Sequence, residues 1–189
     1  MDGSRSPIPA DIRRRRFTAS DVEAMLDAGV LKDGEKVELL GGELVEMSPQ
    51  GPLHSGMSYL VLRWLRLNLD RSIEFAAHSP LRLSSLNEPE PEFFLFPFGL
   101  DVNEVRGPDT ILVIEVAHSS LKLDLGVKAS IYAQHGVQEY WVIDLEGRKT
   151  HVHTLSGDAY GSPREVSFDD ALEAPGGASL IIADLAPKT

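Results

Sequence analysis

Three side chains in this sequence have settings that ordinary packing does not account for. Glu115 lies inside TILVIEVA, residues 110–117, an almost unbroken apolar run rich in β-branched side chains. Such a run reads as a strand buried on both faces, and a glutamate is almost never fully buried without a partner or a metal. Either Glu115 reaches solvent or a buried Arg or Lys at the strand end, or it is an oxygen ligand for a hard divalent cation, which takes one or two carboxylates and completes its shell with water. Glu92 follows Pro91 and opens EFFLF, with Glu88 and Glu90 close by. It belongs either to an acidic, solvated turn or to the same cation. Lys128 stands four residues after Asp124. That spacing is either a helix-surface ion pair worth about 0.2–0.5 kcal/mol or a sign that an ammonium meets the two carboxylates. If all three converge, the set would suit metal-assisted hydrolysis of a phosphodiester, with the lysine holding the attacking water or stabilising the developing oxyanion.

The elements that must position these groups follow from periodicity. Residues 37–49, VELLGGELVEMSP, are two apolar runs joined by Gly41 and Gly42, which supply the positive φ of a tight hairpin. Met57, Leu60, Val61, Trp64, Leu65 and Leu67 follow the 3.6-residue period and predict an amphipathic helix over 53–69. Strands are expected at 73–77, 80–84, 92–96, 110–117 and 138–144, with a helix over 121–134 ended by Gly136. Strand, helix, strand at that length implies a right-handed parallel crossover. Ser20 and Glu23 have the form of a capping box that opens a short peripheral helix ended by Gly29. KTHVHTL, residues 149–155, reads as an exposed strand of alternating polarity, and a last apolar run lies near Leu180.

Composition bounds the answer. At 189 residues with 42% hydrophobic and 25% charged residues, the chain reads as one domain, residues 17–189, behind a flexible leader of Gly, Ser, Pro and Arg at 1–16. No apolar run approaches the roughly 20 residues of a membrane helix, and there is no cysteine, so a soluble cytoplasmic protein is expected. The net charge of -11 opposes a phosphate backbone. The basic run Arg13 to Arg16 reads as a solvated tail.

The order VELLGGELVEMSP, His54 opening a helix, EPEPEFFLFP, ILVIEV, Asp124 with Lys128 and Tyr132, and GVQEYWVID resembles the Uma family of restriction-endonuclease-like proteins, a branch of the PD-(D/E)XK nucleases. The resemblance runs from about Phe17 to Leu155. It implies an α/β fold with a mixed central sheet flanked by helices, preceded by an N-terminal helix and β-hairpin. It also implies Mg²⁺ or Mn²⁺ held by Glu92 and Glu115, with Lys128, Glu43 and His54 as catalytic residues. Glu38 is the less favoured hairpin acid. A nucleic-acid substrate, DNA by analogy, and a homodimer or larger homo-oligomer are further implications. The chain departs from the family in carrying Glu92 where aspartate is usual, and His118 and Ser119 where Ser and Pro are more frequent; Ala117, two residues beyond Glu115 where the wider superfamily more often places its lysine, is normal for this branch. Glu92→Asp is therefore expected to raise activity, because it restores the shorter carboxylate.

Other readings have less behind them. A binding or assembly module that keeps the fold and has lost its chemistry fits the acidic charge and Glu92. A hydrolase of small phosphates has no glycine-rich phosphate loop to support it. His151 and His153 lie two apart on one strand face but lack a third ligand in sequence reach. Tyr140 and Trp141 read as core or dimer interface.

Overall fold

The computed structural model describes residues 14–32, 34–47 and 49–185; most of the expected leader, residues 1–13, lies outside the described residues. The centre is a seven-stranded sheet in the order β3-β4-β5-β6-β7-β8, with β9 also paired to β7. Its strands are β3 (Ile73–Ala77), β4 (Phe93–Pro97), β5 (Leu112–Ala117), β6 (Glu139–Asp144), β7 (Lys149–Ser156), β8 (Ala159–Tyr160) and β9 (Arg164–Ser167). Only β5 and β6 run parallel; every other pairing in the sheet is antiparallel. The parallel pair is joined by the crossover that the apolar runs predict.

All six residues of β5 are buried, because the sheet is covered on both faces. Leu112, Ile114 and Val116 enter the cluster with Val61 and Leu65 of helix α2 (Pro52–Asn68). Val113 and Ala117 enter the cluster on the opposite face, with Ile131 and Tyr132. Strand side chains alternate, so Glu115 projects with Val113 and Ala117 toward the crossover helix. Trp141 and Tyr140 are core residues, 1% and 0% exposed.

The crossover departs from a regular helix. It begins as α3 (Leu121–Leu123), widens into a π turn over Asp124–Lys128, and continues as α4 (Ala129–Gln134). Its i→i+5 signature is the Ala129 N–H donating to the Asp124 carbonyl.

Strands β1 (Val37–Leu40) and β2 (Glu43–Glu46) form the predicted hairpin, with Gly41 and Gly42 at φ 61° and 81°. A Cβ on Gly42 would also meet Arg16 Cβ at 2.6 Å. Helix α1 (Ala19–Asp27) is capped by Thr18 with Asp21, two residues earlier than the Ser20–Glu23 reading. No strand forms at 80–84: Leu81 and Leu83 donate to the Pro89 and Asn87 carbonyls in an irregular excursion bounded by prolines. Strand β7 is not exposed, because β9 pairs with it and Thr150, His151, Val152 and His153 are buried. The last apolar run becomes β11 (Ser179–Ile181), paired with β10 (Ala171–Glu173). Among the described residues no helix is long and apolar enough to cross a membrane.

Candidate active site

Register brings the two glutamates together. Strands β4 and β5 pair Phe93 with Ile114, and one further step along that antiparallel ladder sets Glu92 opposite Glu115. Directly opposed residues have Cβ atoms about 5 Å apart. The Glu92 N–H lies 3.5 Å from Glu115 Oε2, and Glu92 Oε2 accepts from the Val116 N–H at 3.1 Å. Glu92 Oε1 is 2.7 Å from His54 Nε2, at the start of α2.

The crossover helix supplies the counter-charge. Lys128 Nζ donates to Glu115 Oε1 at 2.9 Å, and the Tyr132 hydroxyl, one turn further on, donates to the same oxygen at 3.0 Å. Residues four apart share a helix face, which explains the double contact. Lys128 also meets Glu38 Oε1 at 2.8 Å and lies 3.9 Å from Asp124 Oδ1. The ion-pair reading of Asp124 and Lys128 and the convergence reading therefore both hold, but the pair is buried and off the helix surface, at 2% and 4% exposed. Glu38 is fixed in turn by accepting the Glu90 N–H at 2.8 Å.

Four carboxyl groups thus face one ammonium, and their proton affinities follow. Burial pushes Glu115 up to about 8; Lys128 opposes the rise and Glu92 adds to it. Burial, then Glu115, pushes Asp124 up to about 7. Glu38 and Glu92 are raised, again chiefly by burial. Burial alone would lower Lys128, but Glu115, Glu38 and Asp124 more than offset it and hold the ammonium above its ordinary value. Burial lowers His54, so the neutral ring uses its Nε2–H for Glu92, and buried Nδ1, which has no partner, is left as an acceptor.

These groups line a cavity of about 220 Å³ together with Glu46, Gln50, Gly51, Ser119 and Ser120. Of the residues singled out in the sequence, Glu92, Glu115, Lys128 and His54 meet here. Glu43 does not. It sits beside the hairpin turn, exposed, with Arg14 at 3.7 Å, and the hairpin acid that reaches Lys128 is Glu38. Tyr132 and Asp124, part of the resemblance but not expected as site residues, join the cluster through Glu115 and Lys128. His78, at φ 47° just after β3, donates its N–H to the Glu92 carbonyl and was not singled out in the sequence. The other histidine pair is separate: His151 lies 3.7 Å from Asp144 Oδ2, and His153 stacks on Tyr140 and lies tilted against Tyr160. No group of three or more His, Cys, Asp or Glu side chains arranged to hold a metal occurs among the described residues.

A mixed sheet with helices on both faces and opposed acidic residues on its central antiparallel strands is the architecture of a restriction-endonuclease-like protein. The sequence model of Uma2, described as a putative restriction endonuclease, matches residues 20–183, and the chain belongs to that family. Among solved structures, it is similar to a putative nuclease of DUF820 from Anabaena variabilis ATCC 29413. That protein is 17% identical with a TM-score of 0.64, and the match covers 89% of this chain and 97% of that one. At that identity the likeness concerns the fold. No curated protein matches the chain.

Proposed function

We propose that this protein is a divalent-metal-dependent endonuclease acting on the phosphodiester bonds of DNA. The observation that carries the reading is the opposed pair Glu92 and Glu115, buried at the floor of an open cavity with Lys128 bonded to the second of them. Four carboxyl groups beside one ammonium are an unfavourable set unless protons or a cation balance them. Hard oxygen donors suit Mg²⁺ or Mn²⁺, and Mg²⁺ ordinarily takes only one or two carboxylates and keeps several waters. The absence of a third converging ligand is compatible with that mode of binding. Glu92 and Glu115 would hold the ion, which when bound would neutralise charge on the scissile phosphate and lower the pKa of a water.

The chain's own groups then have separable tasks. Lys128, kept protonated by its carboxylates, holds Glu115 and offers positive charge to the developing oxyanion. His54 fixes the Glu92 rotamer through Nε2 and presents Nδ1 as an acceptor. Glu38 and Tyr132 orient Lys128 and Glu115 as positioning residues.

A second reading, a binding or assembly module without catalysis, is favoured by the closure of the network: Lys128 is satisfied by Glu38 and Glu115, and both Glu92 oxygens are engaged. Supercoiled plasmid incubated with Mg²⁺ or Mn²⁺ separates the two. Nicking that disappears with EDTA is expected, whereas intact plasmid under every metal condition would leave the module reading in place. Homodimerisation belongs to the same proposal, and light scattering should give twice the 20.7 kDa of one chain.

A further inference from the structure

A chain with net charge -11 needs a local exception if it is to receive a polyanion. Helix α2 is such an exception. From Pro52 to Asn68 it contains Arg63 and Arg66 and no Asp or Glu. Ser55, Tyr59, Arg63 and Arg66 follow one another at steps of four, four and three, and all are exposed. They form one stripe opposite His54, Ser58, Val61 and Leu65, which are buried. Arg63 and Arg66 form no ion pair among the described residues, whereas Arg82, Lys128 and Lys149 are each held by acidic side chains.

The same helix starts at the cavity. Its N-cap is Gly51, which offers no side-chain cap, and Gly51 and His54 line the cavity wall.

Resting on the reading of DNA as substrate, we propose that α2 is the DNA-binding element: Arg63 and Arg66 take backbone phosphates of a duplex whose scissile bond lies at the cavity where the helix begins. From Ser55 to Arg66 the helix advances about 16 Å at 1.5 Å per residue, the axial rise of about five base pairs of duplex DNA. Tyr59, exposed between them, adds a hydroxyl for a further phosphate oxygen. The contacts are to the backbone, so affinity is insensitive to sequence and strongly dependent on salt.

The test is fluorescence anisotropy of a labelled DNA duplex of about 20 base pairs, in EDTA, with the full chain across a salt series. Arg63→Gln/Arg66→Gln is expected to weaken binding about tenfold or more at low salt and to reduce the log–log salt slope by about two, with an unchanged circular dichroism spectrum. Arg63→Lys/Arg66→Lys should keep most of the affinity. A wild type that does not bind, or a glutamine variant with wild-type affinity and slope, overturns the proposal. So does a glutamine variant that loses only self-association, since α2 would then be a contact between copies. Because binding is measured without metal, a wild type that binds through α2 but never nicks plasmid leaves this proposal standing and removes the nuclease reading. Nicking with an unchanged KM in the glutamine variant does the reverse.

Discussion

Val142 of β6 has Glu115 beside it in register on β5 and His151 beside it on β7, so one row of the sheet carries two buried titratable groups with different surroundings. On the β5 side, charges converge: Glu115 meets Lys128, Tyr132 and Glu92 within hydrogen-bonding range, at the floor of a cavity. On the β7 side, the histidines are packed. His153 stacks on Tyr140 and lies tilted against Tyr160 with neither ring nitrogen bonded, and burial keeps its pKa low and the ring neutral. Burial of a titratable residue is therefore not the mark of a site. A neutral ring can be absorbed as an aromatic filler, whereas clustered carboxylates demand a counter-charge, and that demand is what points to chemistry.

The comparison breaks most sharply at Lys128. Lys128→Met should lower the plasmid nicking rate by about two to three orders of magnitude, the scale of losing one oxyanion donor. It should also cost about 3–5 kcal/mol of stability in denaturant melts above neutral pH, because Glu38 and Glu115 lose their partner. Wild-type nicking and stability would return Lys128 to the status of a packing residue.

Glu92→Asp is next. The geometry reverses the expectation drawn from the shorter side chain, since Glu92 uses its full length to reach His54 with one oxygen and the Val116 N–H with the other. Shortening it should lower nicking by about tenfold, a loss typical of a misplaced metal-site group. An aspartate variant faster than wild type would show that the strand spacing still suits the shorter acid.

The third effect is on stability against pH. Glu115 and Asp124 are raised to about 8 and about 7 from 4.5 and 3.8, so the folded state holds protons that the unfolded chain has released. Their contribution is fully present below those lower values and is lost as pH rises through about 7 to 8. His54, held low, acts in the opposite direction near its ordinary 6.5. Without metal, urea midpoints should fall from pH 5 to pH 8, and Glu115→Gln should flatten the decline. A midpoint that climbs across that range would contradict the charge imbalance.

The smallest effects belong to the β7 side and to the hairpin tip. His153→Phe should leave nicking unchanged and raise stability by about 1 kcal/mol, because a buried ring donor without a partner is removed. Glu43→Ala should change neither activity nor stability by a measurable amount, as expected for an exposed residue.

The sheet, α2 and the β1–β2 hairpin were legible because period and glycine placement carry them, and Glu115 because one carboxylate interrupts an apolar run. The choice between Glu38 and Glu43 was not legible. The register pairs Glu38 with Val45 and Leu40 with Glu43, so both acids lie on one face of the hairpin. What separates them is about 7 Å along the strand, and alternation says nothing about which end docks on the sheet. The π turn was equally hidden, because Asp124 and Lys128 have the spacing of an ordinary helical pair and an i→i+5 bond leaves no apolar period. The burial of β7 depended on β9, whose contribution is long-range.

The central claim, that Glu92 and Glu115 form one metal site and the histidines of β7 do not, is tested most directly by titrating Mn²⁺ under electron paramagnetic resonance. The account predicts one bound ion per wild-type chain, affinity weakened about tenfold or more in both Glu92→Gln and Glu115→Gln, and wild-type affinity in His151→Ala and His153→Phe. Undiminished binding in a folded Glu115→Gln protein, or binding lost only in the histidine variants, would contradict it.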